Sequence, residues 1–190
     1  DVQGINIKIQ NEIPGEATTY KSIDTVMNEE EIVNYPTEFL NSLDLPGVPP
    51  HDLTLKLGVP IILLRNINPP RLCNGTRLSV QSLMKNVIRA MIICGKFEGE
   101  IVYLPRIPII PTDMPFEFKR LQFPVRLAFA MTINKAQGQS LKVCGLNLKN
   151  PCFSHGQLYV ACSRVGSPSN LYVYAPENAT KNIVYPQVLE

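Results

Sequence analysis

Four apolar side chains recur every three or four positions at the start of the chain: Val2, Ile5, Ile9 and Ile13. This spacing predicts a helix, and Pro14-Gly15 ends it. A second, short helix is expected over residues 37–43, directly after Pro36. Residues 45–50 are rich in proline and predict a linker.

Short apolar runs, separated by Gly and Pro, replace the helical pattern from residue 53 onwards. They predict strands over residues 53–57, 60–64, 76–84, 87–93 and 100–104. Lys85-Asn86 separates two of these strands and fits a hairpin. Several short strands in close succession favour a small β-barrel, with no helix in this stretch.

Strands and helices alternate after the proline-rich residues 105–115. We predict strands over 124–132, 142–148 and 170–175, and helices over 133–139 and 155–165. Such alternation favours a mostly parallel sheet. The simplest organisation is one α/β domain, formed by residues 1–50 and 119–190, that is split by an inserted β-barrel over residues 51–118.

The composition is that of a globular protein, with 45% hydrophobic and 18% charged residues in a chain of 190. No apolar run approaches the ~20 residues of a membrane span, so no membrane association is expected. Residues 1–50 carry nine acidic and two basic residues, whereas residues 51–190 carry seven acidic and sixteen basic ones. A basic body of this size is compatible with a polyanionic partner, although a solvated basic face explains the charge equally well.

The five cysteines form no C-x-x-C pair and lie mostly among apolar residues, which favours reduced thiols. Cys152 and His155 have a ligand-like spacing, but two residues cannot complete a zinc site and nothing nearby adds to them. No metal site is therefore predicted.

A polar cluster follows the predicted strand 124–132. Lys135, Gln137 and Gly138 are its main members, and the carboxyl end of a buried strand is where open α/β sheets bind ligands. Glycine allows close approach of the backbone, and glutamine can contact a phosphate or orient a water. A polar turn that opens a helix is the simpler alternative. The chain contains no G-x-x-x-x-G-K-[ST] motif, so the main phosphate cradle of a nucleoside triphosphatase is absent from it.

Arg164 lies near the end of the predicted helix 155–165, beside its apolar stripe. Its planar guanidinium suits phosphate oxygens and can stabilise negative charge in a phosphoryl-transfer transition state. A surface ion pair with a carboxylate is the alternative. Asn66 and Asn74 lie on loops of the predicted barrel, where nucleic-acid contact and ordinary turn chemistry are both compatible with the sequence.

Four segments of the chain carry a family resemblance: residues 55–66 (LKLGVPIILLRN), 73–77 (CNGTR), 123–141 (FPVRLAFAMTINKAQGQSL) and 156–165 (GQLYVACSRV). In order and spacing they resemble the C-terminal part of PIF-type DNA helicases. The similarity is greatest to the helicase region of Helitron transposons, which is related to bacterial RecD.

The resemblance implies a RecA-like second motor domain with an inserted small β-barrel. It also implies an ATP-driven motor that moves 5′ to 3′ on single-stranded DNA. Gln137 and Gly138 would then face the nucleotide, and Arg164 would reach its γ-phosphate. Thr132, Asn134 and Lys135 would lie nearer the DNA backbone, although Asn134 stands where cellular members of the family usually have His.

ATP and Mg²⁺ are the implied ligands, and both would be bound mainly by a first RecA-like domain that carries the Walker motifs. Without that domain, the chain is expected to be inactive. Single-stranded DNA and DNA junctions are the implied partners, in telomere maintenance, repair, recombination or transposition, with nuclear or mitochondrial localisation. Two other classes remain open: a non-catalytic nucleic-acid-binding module or decayed transposon remnant, and an α/β domain that binds a small phosphorylated metabolite.

Overall fold

A computed structural model describes residues 2–28, 30, 33–112 and 114–188. The chain separates into two compact units, Asp1–Ala130 and Met131–Glu190. The helices are α1 (Val2–Glu12), α2 (Thr37–Ser42), α3 (Ile133–Ala136) and α4 (Gln157–Cys162). The strands are β1 (Thr18–Lys21), β2 (Ile23–Val26), β3 (Asp52–Leu55), β4 (Pro60–Leu63), β5 (Arg77–Leu83), β6 (Val87–Ile92), β7 (Ile101–Pro105), β8 (Ile107–Ile109), β9 (Phe118–Gln122), β10 (Val125–Leu127), β11 (Cys144–Asn147) and β12 (Leu171–Tyr174).

The largest sheet of the first unit has five strands in the order β10-β4-β5-β6-β7. All its neighbouring strands are antiparallel; β4 to β7 follow one another along the chain, whereas β10 pairs with β4 from a distant part of the sequence. The predicted hairpin at Lys85-Asn86 is confirmed, since the Met84 amide donates to the Val87 carbonyl at 3.1 Å. On β5, Leu78 and Val80 face the core while Ser79 lies on the other face, as a two-residue period requires.

The predicted closed barrel is not confirmed, because no sheet of the described residues closes on itself. After β7 the chain continues into β8, which joins a separate three-stranded sheet of order β2-β9-β8. The apolar face of the five-stranded sheet is instead covered by the two-stranded sheet β1-β3, which contributes Tyr20, Leu53 and Leu55 to the same core. Because this second sheet buries the apolar face, the five strands do not have to close into a barrel to bury it.

The prediction of a mostly parallel sheet is wrong for the first unit, where every strand pair is antiparallel. Strands β1, β2, β8 and β9 are additional to those that the pattern predicted. The predicted strand 124–132 is also shorter than expected, since β10 ends at Leu127.

A fully buried ion pair connects the three-stranded sheet to the segment around α2. Arg120 contacts Asp24 at 2.6 Å from Nη2 to Oδ2, and neither side chain has any exposed surface. Its guanidinium also donates to the main-chain carbonyls of Leu40 and Leu43, at 2.7 and 3.0 Å, and to that of Pro49 at 3.1 Å. The carboxylate and the carbonyls together compensate the loss of hydration that burial imposes on this charge.

Helix α1 is confirmed, but its buried side chains are amides rather than isoleucines. Asn6 is buried and exchanges two hydrogen bonds with the backbone of Ala130, at 2.8 and 2.9 Å, and Gln10 donates to the carbonyl of Thr54. Ile5 and Ile7 are exposed. The amides satisfy backbone groups at strand ends, which apolar side chains cannot do.

The second unit contains the parallel pair that the alternating pattern predicted. Strands β11 and β12 run in parallel, with Leu146 opposite Val173, and α4 lies in the connection between them. A small core joins Leu146, Leu148, Cys152 and Ala161. Three short 3₁₀ helices follow α4, at Pro168–Asn170, Pro176–Asn178 and Pro186–Val188. No helix of the described residues is long and apolar enough to span a bilayer.

Candidate functional site

The predicted polar cluster forms a tight corner around the single turn of α3. Thr132 caps this turn, because its Oγ1 accepts a hydrogen bond from the Lys135 amide at 3.4 Å. Ala136 is buried and Ile133 packs against the core of the second unit. The intervening polar residues Asn134 and Lys135 are therefore exposed, and so is Gln137 after the turn.

Gly138 ends the corner with a φ of +77°, in the left-handed region that glycine enters without steric cost. A Cβ atom at this position would meet no other atom within 4 Å. Glycine is therefore required here by the backbone conformation, and the space beside it is open to a ligand.

Arg164 lies against this corner. Its Nη1 donates to the Gln139 carbonyl at 3.1 Å and lies 3.5 Å from the Ala136 carbonyl. Its Nε donates to the Val160 carbonyl at 2.7 Å, and its Nη2 donates to Ser163 Oγ at 2.8 Å. Because Leu141 also bonds to the Arg164 carbonyl, at 2.8 Å, the corner and the end of α4 are joined through both backbone and side chain.

The alternative interpretation of Arg164, a surface ion pair, does not hold among the described residues. All the hydrogen-bond acceptors of its guanidinium are carbonyl or hydroxyl oxygens, and no carboxylate lies within ion-pair distance. A guanidinium has five N–H groups, and one on Nη2 makes no hydrogen bond with the described residues. The charge of Arg164 is thus not neutralised by the part of the chain that the structure describes.

An open cleft of about 340 Å³ adjoins the corner on the side of Asn134 and Gln137. Its opposite wall runs from Phe153 to Val160 and consists of the segment before α4 and the first turn of that helix. Gly156 allows the chain to turn there, with a φ of +71° immediately before the helix. The complete lining is Ile133, Asn134, Gln137, Phe153, Ser154, His155, Gly156, Gln157, Tyr159 and Val160.

Asn66 and Asn74, the predicted DNA-contacting residues of the first unit, lie against each other. Asn66 Oδ1 accepts a hydrogen bond from the Asn74 amide at 2.8 Å. The two loops are also joined at their bases, where the Gly75 amide donates to the Leu63 carbonyl at 2.8 Å. The oxygen of Asn66 thus stabilises a turn, as the simpler interpretation proposed, and its amide nitrogen stays exposed.

The structure therefore brings the predicted site residues into two groups. Thr132, Asn134, Lys135, Gln137, Gly138 and Arg164 lie in the second unit, and Asn66 and Asn74 lie in the first. Whether these residues contact nucleotide or DNA stays a prediction.

Sequence reasoning did not identify Gln139 and Ser163 as contacts of Arg164, nor the aromatic rings beside the cleft. The Gln139 contact uses a main-chain carbonyl, which leaves no signal in the sequence. The ring of Tyr159 does leave one, because it lies outside the apolar stripe of the predicted helix 155–165, where a core-facing helix would be polar. Phe153 precedes that helix and leaves no such signal.

Cys152 and His155, which have a ligand-like spacing in the sequence, make different contacts in the structure. Cys152 is buried in the small core, whereas His155 Nδ1 accepts a hydrogen bond from the Tyr185 amide at 3.1 Å. No group of three or more His, Cys, Asp and Glu side chains lies close enough to hold a metal within the described residues.

Comparison with known proteins shows what this chain is similar to. Residues 38–83 match the model of the DNA helicase Pif1 2B domain. The ATP-dependent DNA helicase PIF1 of Rattus norvegicus is 32% identical over 177 residues, which are 91% of this chain and 26% of the rat protein. The chain is related to the PIF-type DNA helicases. It spans about a quarter of the length of the PIF1 helicases of rat, mouse and human.

Solved structures of PIF-type helicases have the same fold. The Pif1 helicase of Candida albicans superposes with a TM-score of 0.72 at 25% identity, over 99% of this chain and 46% of that one. A Bacteroides Pif1 in complex with ADP-AlF3 and single-stranded DNA gives a TM-score of 0.69 at 23% identity, over 100% of this chain and 41% of that one. At that identity the Bacteroides protein supports the fold alone.

Proposed function

We propose that this chain is part of the second motor domain of an ATP-dependent DNA helicase. In the intact polypeptide it would couple ATP hydrolysis to 5′-to-3′ movement along single-stranded DNA and to duplex opening. The observation that carries this proposal is the position of Arg164, whose guanidinium lies against the corner of residues 136–139 without a carboxylate partner. The relation to PIF-type helicases supports the same activity.

The chemistry of Arg164 suits the outer end of a triphosphate. Its Nε and Nη1 are held by carbonyls, so the guanidinium is oriented before any ligand arrives. An oriented, uncompensated cation stabilises charge that grows on phosphate oxygens during hydrolysis without reorganising itself. This role affects the rate of hydrolysis more than the binding of the nucleotide.

The corner itself supplies the other contacts of the proposal. The Gln137 side chain is exposed and makes no hydrogen bond with the described residues, and Gly138 leaves room for close approach of a ligand. We assign these two residues to the nucleotide. Thr132, Asn134 and Lys135 are assigned to the DNA backbone. The Thr132 hydroxyl can still donate a hydrogen bond, because its oxygen acts as an acceptor when it caps α3.

Asn66 and Asn74 are assigned to the DNA strand as a separate contact. The exposed amide nitrogen of Asn66 is the group that is suited to a phosphate oxygen, because the side-chain oxygen is already used by Asn74. The basic excess of residues 51–190 favours the approach of such a strand.

ATP and Mg²⁺ are the proposed ligands of the intact enzyme. Magnesium, when bound with ATP, neutralises charge on the phosphate oxygens, and we assign its protein contacts to a first RecA-like domain. The residues described above are donors and amides rather than carboxylates, so they fit the phosphates and not the metal. It follows that this segment alone should neither hydrolyse ATP nor unwind DNA.

The DNA substrates, the cellular process and the localisation are proposed from the helicase function and not from the geometry of the site. DNA junctions are the proposed substrates, and repair, recombination, telomere maintenance or Helitron transposition are the proposed processes. The corresponding localisation is nuclear, with mitochondria as the alternative.

Substitution of Arg164 tests the catalytic proposal directly. In the full-length polypeptide that carries this sequence, Arg164→Ala should lower DNA-stimulated ATP turnover by about a thousandfold or more. Arg164→Lys keeps the charge but loses the fork, so it should restore only a small part of the rate. Arg89→Ala, which removes an exposed arginine of β6, is the matched control and should leave turnover unchanged.

Two further measurements separate catalysis from folding, because Arg164 also ties the corner to α4. Affinity for a single-stranded oligonucleotide should stay close to the wild-type value, and the urea midpoint measures how far loss of the tie destabilises the protein. ATP turnover of Arg164→Ala within twofold of wild type would contradict the proposal. If DNA affinity persisted in that case, a non-catalytic nucleic-acid-binding module would be the better description.

A further inference from the structure

The cleft beside α3 has dimensions and walls that are suited to a small planar ligand. Its volume of about 340 Å³ lies at the lower end of the range for small-molecule sites. Ile133 and Val160 supply apolar surface, and both are only partly exposed. All lining residues belong to the second unit, so the cleft needs no other part of the chain to form its walls.

Two aromatic rings lie at this cleft with most of their surface exposed. Phe153 is 79% exposed and Tyr159 is 74% exposed. The inner face of α4 packs against the small core through Leu158, Ala161 and Cys162. Tyr159 therefore lies on the outer face of a helix that packing holds in place. Exposed aromatic rings on a rigid element are the usual platform on which a base stacks.

The polar side-chain groups of the cleft are amides, an imidazole and the hydroxyls of Ser154 and Tyr159. Asn134 and Gln137 make no side-chain hydrogen bonds with the described residues. Gln157 Oε1 accepts from the Phe153 amide at 3.0 Å, which leaves its amide nitrogen as a donor. His155 Nδ1 accepts from the Tyr185 amide, so the neutral ring carries its proton on Nε2. The cleft thus offers both donors and acceptors to the edge of a ligand.

The absence of charge from the lining narrows the ligand class. No Lys, Arg, Asp or Glu is among the described residues that line the cleft. A phosphate or carboxylate site usually includes a cation, most often arginine. An uncharged heterocycle with hydrogen-bonding edges and stacking faces meets all these conditions.

We propose that the cleft between α3 and the Phe153–Val160 segment binds a nucleobase, stacked on Tyr159 and contacted at its edge by Asn134 and Gln137. The inference rests on the proposed function, which supplies two sources of such a base. One source is an unpaired base of the DNA strand, and the other is the base of a free nucleotide. Asn134 and Gln137, which are assigned above to the DNA strand and to the nucleotide, would then contact the base of that ligand.

Removal of the Tyr159 ring is the central test, in the full-length polypeptide that carries this sequence. Tyr159→Ala should weaken binding of a fluorescein-labelled single-stranded oligothymidylate by roughly tenfold, the effect of losing one stacked base. Tyr159→Phe keeps the ring and should bind as wild type does. Tyr172→Ala removes a ring of the same unit that is 66% exposed and lies outside the cleft, so it should also bind normally.

A change on the ligand side makes the test independent of folding. An abasic strand of the same length should bind wild-type protein about tenfold more weakly than oligothymidylate. Tyr159→Ala should no longer distinguish the two strands. A parallel titration with a non-hydrolysable ATP analogue shows whether Tyr159→Ala weakens nucleotide binding instead.

The possible outcomes distinguish a strand base from the base of a free nucleotide, and the cleft proposal from the helicase proposal. Loss of oligothymidylate affinity assigns the cleft to a strand base, and loss of analogue affinity alone assigns it to the base of the nucleotide. If Tyr159→Ala changes neither affinity while wild-type protein binds both ligands, the cleft proposal is overturned and the helicase proposal stands. If wild-type protein binds neither ligand, the helicase proposal itself fails, and the cleft proposal with it.

Discussion

The first unit buries an ion pair, whereas the second unit has amides, an arginine and aromatic rings at its surface. Arg120 and Asp24 are completely buried and bonded to each other, and a large apolar core surrounds the neighbouring sheet. Among the described residues of the second unit, four buried side chains form the core. A large, internally satisfied unit resists substitution at the surface, and a small unit with exposed polar groups is suited to ligands.

The largest effect on stability is expected from removing the buried cation of the first unit. Arg120→Met should lower the free energy of unfolding by about 3–5 kcal/mol, because it leaves the Asp24 carboxylate buried without a counter-ion. The matched control is Arg71→Met, which removes the exposed ion pair with Glu100 and should cost about 1 kcal/mol or less. Urea unfolding of both variants measures the difference, and equal costs would show that burial of the pair is unimportant.

A smaller effect is expected at the corner of the second unit. Gly138→Ala forces an alanine to a φ of +77° and should destabilise this unit by about 1–2 kcal/mol. Because a Cβ there meets no atom within 4 Å, the cost comes from the backbone alone. Gly166→Ala is the control, since Gly166 also has open space but no positive φ, and it should be neutral or slightly stabilising. Thermal unfolding compares the two, and a neutral Gly138→Ala would contradict the strained corner.

The mildest test concerns the thiols of the small core. Burial raises the pKa of Cys152 and of Cys144, and nearby Cys162 raises both further. Because the thiolate is the reactive form, both residues should react with iodoacetamide more slowly in the folded protein than in urea at neutral pH. The stabilisation from the neutral thiols is present below the unfolded-state pKa and is lost as the pH rises through the folded-state values. Mass spectrometry of each labelled peptide measures the rates, and equal rates in both conditions would contradict a packed core.

Local patterns predicted the elements whose partners are close in sequence. The strands β5 and β6 and their two-residue turn followed from alternation and turn chemistry alone. Strands β1 and β9 did not, because their partners lie far away along the chain: Thr18 pairs with Leu55, and Phe118 with Val26. Short polar strands of this kind are defined by their neighbours rather than by their own residues.

The candidate site shows the same limit. The resemblance to PIF-type helicases identified Arg164 and the Gln137-Gly138 corner, but it did not predict which atoms join them. The carbonyl of Gln139 performs that role, and any residue at this position has a carbonyl. The amides of α1 show the reverse case, where the apolar spacing predicted the helix while Asn6 became its buried anchor.

The contacts of Arg120 have a consequence for the order of events during translation. The carbonyls of Leu40 and Leu43 and the carboxylate of Asp24 leave the ribosome well before Arg120, which is 96 positions after Asp24. Until that residue emerges, these acceptors lack the guanidinium that they share in the folded chain. A recombinant piece trimmed to the bounds of the matched Pif1 2B domain, residues 38–83, would retain the two leucine carbonyls and lack the cation that gathers them.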